Sequence, residues 1–303
     1  TRLEPKILSA ERPYGLNLTR AGVDAAIKYP WRRGQGPNPD SPKFGAYEDD
    51  LDVFTWARQN APVGQKCIEA QVMDICDDIA YSVHDVEDAV TGGALELAKL
   101  SDPMERAAAL YVVQDWYTPH DDIPALDEAL TRLEALPIWV TTFDGSLRCA
   151  AALKDMASQL IGRFTRSVVA ATREAYGDGP LARYRGDIVV PDDTRLEIAV
   201  LKGLAAAYVM SSADQQPVYE QQEEILRDLY GRLWTTGRTH LDPLFAELWE
   251  AATDDDARRR VIIDQIASYT DVTARRLHAD LYEHGDAQAT AADLPLPGLG
   301  SEL

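Results

Sequence analysis

An all-α fold follows from three features of this sequence. Helix formers dominate, with Ala, Leu, Glu, Asp and Arg frequent and β-branched runs rare. Apolar residues recur at helical spacing over long stretches, most plainly between Ile68 and Val90. Segments of this kind are bounded by polar caps on one side and by Pro or Gly on the other. With 46% hydrophobic residues, a chain of 303 residues can bury a substantial core.

Leu16 to Tyr29 reads as the first helix, with Asn17 or Thr19 as its cap and Pro30 as its stop. Trp31 to Pro42, rich in Gly, Pro, Asn and Arg, reads as a surface loop. Asp50 to Gln59 is a short helix. The central helix runs from Lys66 to Val90 and ends before Gly92-Gly93. Leu95 to Leu100, Met104 to Trp116, and Ile123 to Leu136 follow, the last broken at Pro137. Gly145 to Tyr176 is long and amphipathic, with Leu147, Leu153, Met156, Leu160 and Phe164 along one side. Tyr184 to Pro191 is the one β-like segment, so at most one short β-hairpin is expected, there. Arg195 to Met210, Pro217 to Thr235, Leu244 to Ala252 and Asp255 to Tyr282 complete the helices. His284 to Leu303 reads as a disordered tail. No internal repeat is visible.

Composition narrows the functional classes. A net charge of −20 argues against a general nucleic-acid surface, because phosphate contacts need clustered Lys and Arg. No hydrophobic run approaches the ~18 residues a membrane span requires. No signal peptide opens the chain. Cys67, Cys76 and Cys149 form no CxxC pair, which fits a reduced, cytoplasmic setting; Cys76 is expected in the region of the core stripe. No P-loop, dinucleotide-binding glycine motif or Ser/His/Asp triad is recognisable.

The central helix carries two opposed faces. Ile68, Val72, Ile75, Ile79, Val83, Val86 and Val90 step by 4, 3, 4, 4, 3 and 4, a core-facing stripe. Asp74, Asp78, Tyr81, Asp85 and Asp88 step by 4, 3, 4 and 3, with Asp77 and His84 beside them. At about 100° per residue, Asp77, Tyr81 and Asp85 fall within roughly 80° of one another. No Lys or Arg lies between Lys66 and Lys99 to offset these acids, although like charges at i,i+4 repel. An uncompensated row of carboxylates suits a cation; a solvated outer face is the competing reading.

The run EAQVMDICDDIAYSVHDVEDAV resembles the last metal-ligand helix of the deoxyguanosine triphosphate triphosphohydrolase-like family of the HD superfamily, in its actinobacterial style. TRLEPK, GLNLTRAGVDAAIKYPW, KFGAYEDDLDVFTWAR and DQIASYTDVTARRLH resemble further blocks in family order, so the resemblance reaches to about residue 285. It implies an HD-type helical bundle. Residues 1–120 would form the C-terminal part of the catalytic core, 121–285 a helical region packed on it, and 286–303 the tail. It also implies hydrolysis of a deoxynucleoside triphosphate to deoxynucleoside and triphosphate, with Mg²⁺ or Mn²⁺, and often a homo-oligomer.

Residue by residue, the resemblance assigns Asp77 as the catalytic metal-ligand Asp, and Tyr81 and Asp85 to the deoxyribose. Lys43 and Lys28 become candidates for the phosphates, as point charges suited to polyphosphate. Asp78 turns about 100° away from Asp77. Asp264, Thr270, Asp271 and Arg275 fall in a block resembling the family's closing helix, and Arg163 reads as a structural ion-pair member. The other family ligands, a His and a His-Asp pair, come from an N-terminal section that is not in this sequence. The one His-Asp dipeptide, His120-Asp121, lies in a Pro-broken loop far downstream and reads as structural. The chain therefore reads as the C-terminal two thirds or so of such an enzyme. The alternative is a non-catalytic helical module for nucleotide binding, oligomerisation or regulation.

Overall fold

The structure is a computed structural model that describes residues 7–9, 12–13, 16, 18–210 and 216–283. Two compact units divide the chain, residues 18–212 and residues 1–17 with 213–303. The tail expected from His284 lies outside the described residues. Apart from one two-stranded pair, every regular element among the described residues is helical. None of these helices is long and apolar enough to cross a membrane.

The 18–212 unit begins with α1 (Arg20–Ala25), whose cap is Thr19, accepting from the Gly22 N–H at 3.1 Å. It is shorter than its sequence pattern. Residue 29 precedes Pro30, which disfavours the α conformation there, and Trp31 N–H instead closes a turn onto the Tyr29 carbonyl at 2.8 Å. Next come α2 (Leu51–Ala57), α3 (Ile68–Thr91) and α4 (Pro103–Tyr117). The expected helix at 95–100 is a 3₁₀ turn, Leu97–Ser101. Asp102 caps α4, and Asp122 caps α5 (Ile123–Glu134), each ahead of an early Pro. Then α6 (Leu147–Tyr176) ends at Gly177, whose φ of 79° only Gly adopts freely. Last is α7 (Asp192–Ala205), continued by one π-helical turn to Met210.

The core of this unit lies between α3, α4, α5, α6 and α7, around Val83, Val86, Leu130, Leu160, Phe164, Leu201 and Leu204. Leu147, expected on the buried side of α6, is 88% exposed because it sits at the helix's first position. The buried Glu197 of α7 takes Arg132 from α5 at 3.0 Å and Arg163 from α6 at 2.9 Å. Arg163 is thus a structural partner, as expected.

At Gly203, α7 lies close against Val113 of α4. A Cβ there would stand 2.3 Å from Val113 Cγ2 and 2.8 Å from its Cα. Gly203→Ala is expected to cost about 1–3 kcal/mol by overpacking. A thermal melt unchanged from wild type would show that the two helices can part freely.

Tyr184 to Pro191 is not a hairpin arm. Two of its backbone N–H groups go to side chains of neighbouring helices, Ile188 to Gln71 at 2.9 Å and Val189 to Thr172 at 3.0 Å, while that of Arg185 turns back onto the Ala182 carbonyl. Gln71 returns a hydrogen bond to Asp187 at 2.8 Å. With these donors taken by side chains, residues 186–190 form no strand.

In the second unit, β1 (Ile7–Ser9) pairs antiparallel with β2 (Arg12–Pro13). The one strand pair among the described residues therefore joins residues 7–9 to 12–13, not the segment expected. Helices α8 (Gln216–Thr236), α9 (Pro243–Ala251), α10 (Asp255–Ala267) and α11 (Asp271–Glu283) pack around Leu229, Leu233, Phe245 and Ile262. The single helix expected over Asp255 to Tyr282 is split at Ser268–Thr270. The Ser268 hydroxyl donates to the Gln265 carbonyl, and Thr270 accepts from the Thr273 N–H to start the next helix.

Candidate active site

The outer face of α3 is built by the burial of its inner one. Ile79, Val83, Val86 and Val90 are each at most 5% exposed. The stripe does not stay buried along its whole length. Val72 is 44% exposed, and with Ile75 and the exposed Cys76 it edges a cleft of about 290 Å³ against α6. Cys76 is thus not a core residue, a departure from the sequence reading. One helical position, about 100°, carries it off the stripe.

The acids of the outer face are not uncompensated. Lys28, in the loop after α1, places its Nζ 2.9 Å from Asp74 Oδ1 and 3.0 Å from Asp77 Oδ2. Lys66, just before α3, contacts the other Asp74 oxygen. Lys202 of α7 reaches Asp78 Oδ1 at 2.6 Å. A search within one helix could not find two of these cations, because they arrive from other elements. Hydrogen bonding to Asp74 first, and to Asp77, holds the Lys28 ammonium above the ordinary lysine range despite partial burial. Burial alone would raise the Asp74 carboxyl, but Lys66 and Lys28 bring it below the usual carboxylate range.

Lys28 has its own support four residues earlier. Asp24, 2% exposed, is held by Arg58 at 2.9 Å, by Arg183 and by the Tyr184 hydroxyl. Burial opposes its charge, yet hydrogen bonds from Tyr184, Arg58 and Arg183 leave its carboxyl below the usual range. This network ties the 183–184 segment to α1, and the Arg183 carbonyl also accepts from the Ile68 N–H, at 2.7 Å, where α3 begins.

Of the residues singled out from sequence, Asp77 and Lys28 are in direct contact. Tyr81 stands 62% exposed on the same face, and Asp85 is half-buried two turns beyond Asp77. Burial and then Asp88 push the Asp85 carboxyl up, against His84 and Lys202. Lys43 has an exposed side chain, and its carbonyl accepts from the Trp31 indole at 2.9 Å. A cleft of about 480 Å³ beside Arg106, Asp127, Glu134 and Trp139 includes none of these residues. His120 is exposed, and Asp121 clamps Arg195 of α7 through two hydrogen bonds of 2.7 and 2.9 Å. Asp264, in the second unit, pairs with Arg260 at 2.8 Å.

Among the described residues, no three His, Cys, Asp or Glu side chains converge to hold a metal ion. Asp77 offers one carboxylate, and its neighbour is an ammonium. A divalent cation needs several oxygen or nitrogen ligands, so the described residues do not by themselves fit one.

Residues 188–280 match the phosphohydrolase-associated domain family. The deoxyguanosinetriphosphate triphosphohydrolase-like protein of Streptomyces coelicolor is 49% identical over 286 residues, covering 94% of this chain and 68% of that protein. Its counterpart in Bifidobacterium longum is 43% identical, covering 93% of this chain and 61% of its own length. That of Corynebacterium diphtheriae is 40% identical, covering 91% and 66%. The chain thus spans 61% to 68% of the length of these relatives. At this identity and coverage, the chain belongs to the deoxyguanosinetriphosphate triphosphohydrolase-like family.

Proposed function

We propose that this chain supplies the phosphate- and nucleoside-facing part of a metal-dependent deoxynucleoside triphosphate triphosphohydrolase acting on a dGTP-like substrate. The phosphohydrolase class rests on the family. The finer reading rests on one observation: Lys28, the candidate phosphate residue, lies against Asp77, the candidate ligand, 49 residues away and on the face that carries Tyr81 and Asp85.

In this reading water attacks the α-phosphorus, the bond to the 5′-oxygen breaks, and that oxygen leaves with a proton as the deoxynucleoside. Lys28 and Lys43 offset charge on the departing triphosphate. Asp85 accepts from a sugar hydroxyl, and the Tyr81 ring packs where a ribose 2′-hydroxyl would sit. Asp77 contributes one carboxylate towards Mg²⁺ or Mn²⁺, the other ligands lying outside the described residues. The test is product analysis with dGTP and either metal, for the 303-residue chain and for the same chain preceded by the N-terminal section of the Streptomyces relative. The extended protein should release deoxyguanosine and tripolyphosphate in equal amounts. The shorter chain should be at least about 100-fold slower, because loss of even an outer partner of a metal costs 10–100-fold. Pyrophosphate or orthophosphate as the first product would overturn the reaction proposed, and equal rates would overturn the account of the ligands.

A non-catalytic binding module is the second reading, favoured by the absence of a ligand group among the described residues and by the Lys28–Asp77 pair. An extended protein that binds dGTP and releases no product would establish it.

A further inference from the structure

Two cations meet Asp74, and each comes from a stretch of chain fastened to the same pair of residues, Arg183 and Tyr184. The first stretch carries Lys28. The Ile27 N–H donates to the Asp24 carbonyl at 3.1 Å, so the chain leaves α1 in a turn that begins at Asp24. One oxygen of the Asp24 carboxylate accepts from the Arg183 guanidinium and the Tyr184 hydroxyl, and the other accepts from Arg58. The second stretch carries Lys66. On one side of it the Gln65 side-chain amide donates to the Tyr184 carbonyl at 3.4 Å, and on the other the Ile68 N–H donates to the Arg183 carbonyl at 2.7 Å.

The two anchors are themselves held. The Arg58 and Arg183 guanidiniums lie 5.7 and 5.5 Å from the centroid of the Tyr184 ring. Arg58 also donates to the Pro62 and Gln65 carbonyls, at 2.8 Å each. A few residues on, Asp187 and Ile188 bond to Gln71 of α3. Residues 183–188 thus form a strap, tied to α1 at Asp24 and to the start of α3 at Ile68 and Gln71. A lysine stem is flexible, so the place of its ammonium depends on where its backbone starts. A backbone shift of about 1 Å is enough to misplace a group that must meet a reacting substrate.

We propose that Arg183 is a positioning residue for the candidate site: through Asp24 it fixes where Lys28 stands against Asp74 and Asp77, and so how that ammonium meets a substrate's phosphates, with Tyr184 as the second anchor. This rests on the reading above in which Lys28 faces the triphosphate. Arg183 acts through Lys28 and touches no substrate itself.

The experiment is a double-substitution cycle in the extended protein. It is read by kcat and KM for dGTP, and by equilibrium binding of inorganic tripolyphosphate and of deoxyguanosine. Arg183→Met should lower kcat/KM about tenfold, the equivalent of one charge-assisted hydrogen bond. The loss should fall on the same parameter, kcat or KM, that Lys28→Met alters, and should weaken tripolyphosphate but not deoxyguanosine. In the Lys28→Met background, Arg183→Met should cost less than about twofold more, because a residue that acts through Lys28 then has nothing to place. Arg183→Lys should recover part of the loss. Circular dichroism reads folding separately. If Arg183→Met unfolds, Tyr184→Phe, which keeps the ring and the Arg183 ion pair, takes its place in the cycle. Losses that multiply in the double variant, or equal weakening of tripolyphosphate and deoxyguanosine, overturn the positioning role and leave Lys28 assigned to the phosphates. If Lys28→Met itself changes neither dGTP turnover nor tripolyphosphate binding, the underlying reading fails and takes the positioning role with it.

Discussion

Asp77→Ala in the extended protein should reduce dGTP hydrolysis by at least about 100-fold while the fold survives. The two effects separate because of where the residue sits. Its ion pair with Lys28 is partly exposed on both sides, and Lys28 keeps Asp74 at 2.9 Å when Asp77 is lost. Pairs of this kind contribute about 0–1 kcal/mol, so melting should shift little. Turnover should fall through kcat, because a charge that matters at the reacting phosphate is missing. Asp78→Ala should retain turnover to within about tenfold, since its carboxylate turns about 100° away from Asp77 and pairs with Lys202 instead. Rates, metal content and circular dichroism for both variants decide the matter. A dead Asp78 variant beside an active Asp77 variant would move the ligand by one residue and sink the site assignment.

Asp24→Ala should be the most destabilising single substitution in the first unit, by about 3–5 kcal/mol. It removes the carboxylate from a buried cluster and leaves Arg58 facing Tyr184 without a counter-charge. The local consequence reaches the candidate site, because Asp24 anchors the stretch of chain that presents Lys28. The pH dependence has a definite sign. The folded carboxyl titrates below its unfolded value, so its stabilisation is complete above the unfolded carboxylate pKa, about 3.9, and is lost as pH falls through the depressed folded value. Urea midpoints measured from neutral pH downward should therefore converge for wild type and Asp24→Asn in that acid range. A wild-type midpoint that falls no more steeply there than that of Asp24→Asn would show that the cluster is not what links this unit to pH.

Much of the fold was legible because helices are local. The 3.6-residue period marked α3 and α6, Thr19 and Gly92 lie where element ends were expected, and α5 ends two residues short of the expected Leu136. The same locality explains the misses. Tyr184 to Pro191 is β-like in composition, but Gln71 and Thr172 take its N–H groups, and no window of sequence contains those partners. Asp255 to Tyr282 has one continuous helical pattern, yet the Ser268 and Thr270 hydroxyls compete with the backbone and split it.

The site divides in the same way. By itself the sequence determined that α3 has an apolar and an acidic face, which acids lie within one turn of each other, and that the net charge is −20. Those are properties of residue order and composition. Only the tertiary structure decided that the acidic face is met by Lys28 and Lys202, that Asp24 is buried among cations, and that the apolar stripe opens to a cleft at Val72. Charge compensation and burial are set by which distant segments share a space, and packing among the helices brings those segments together.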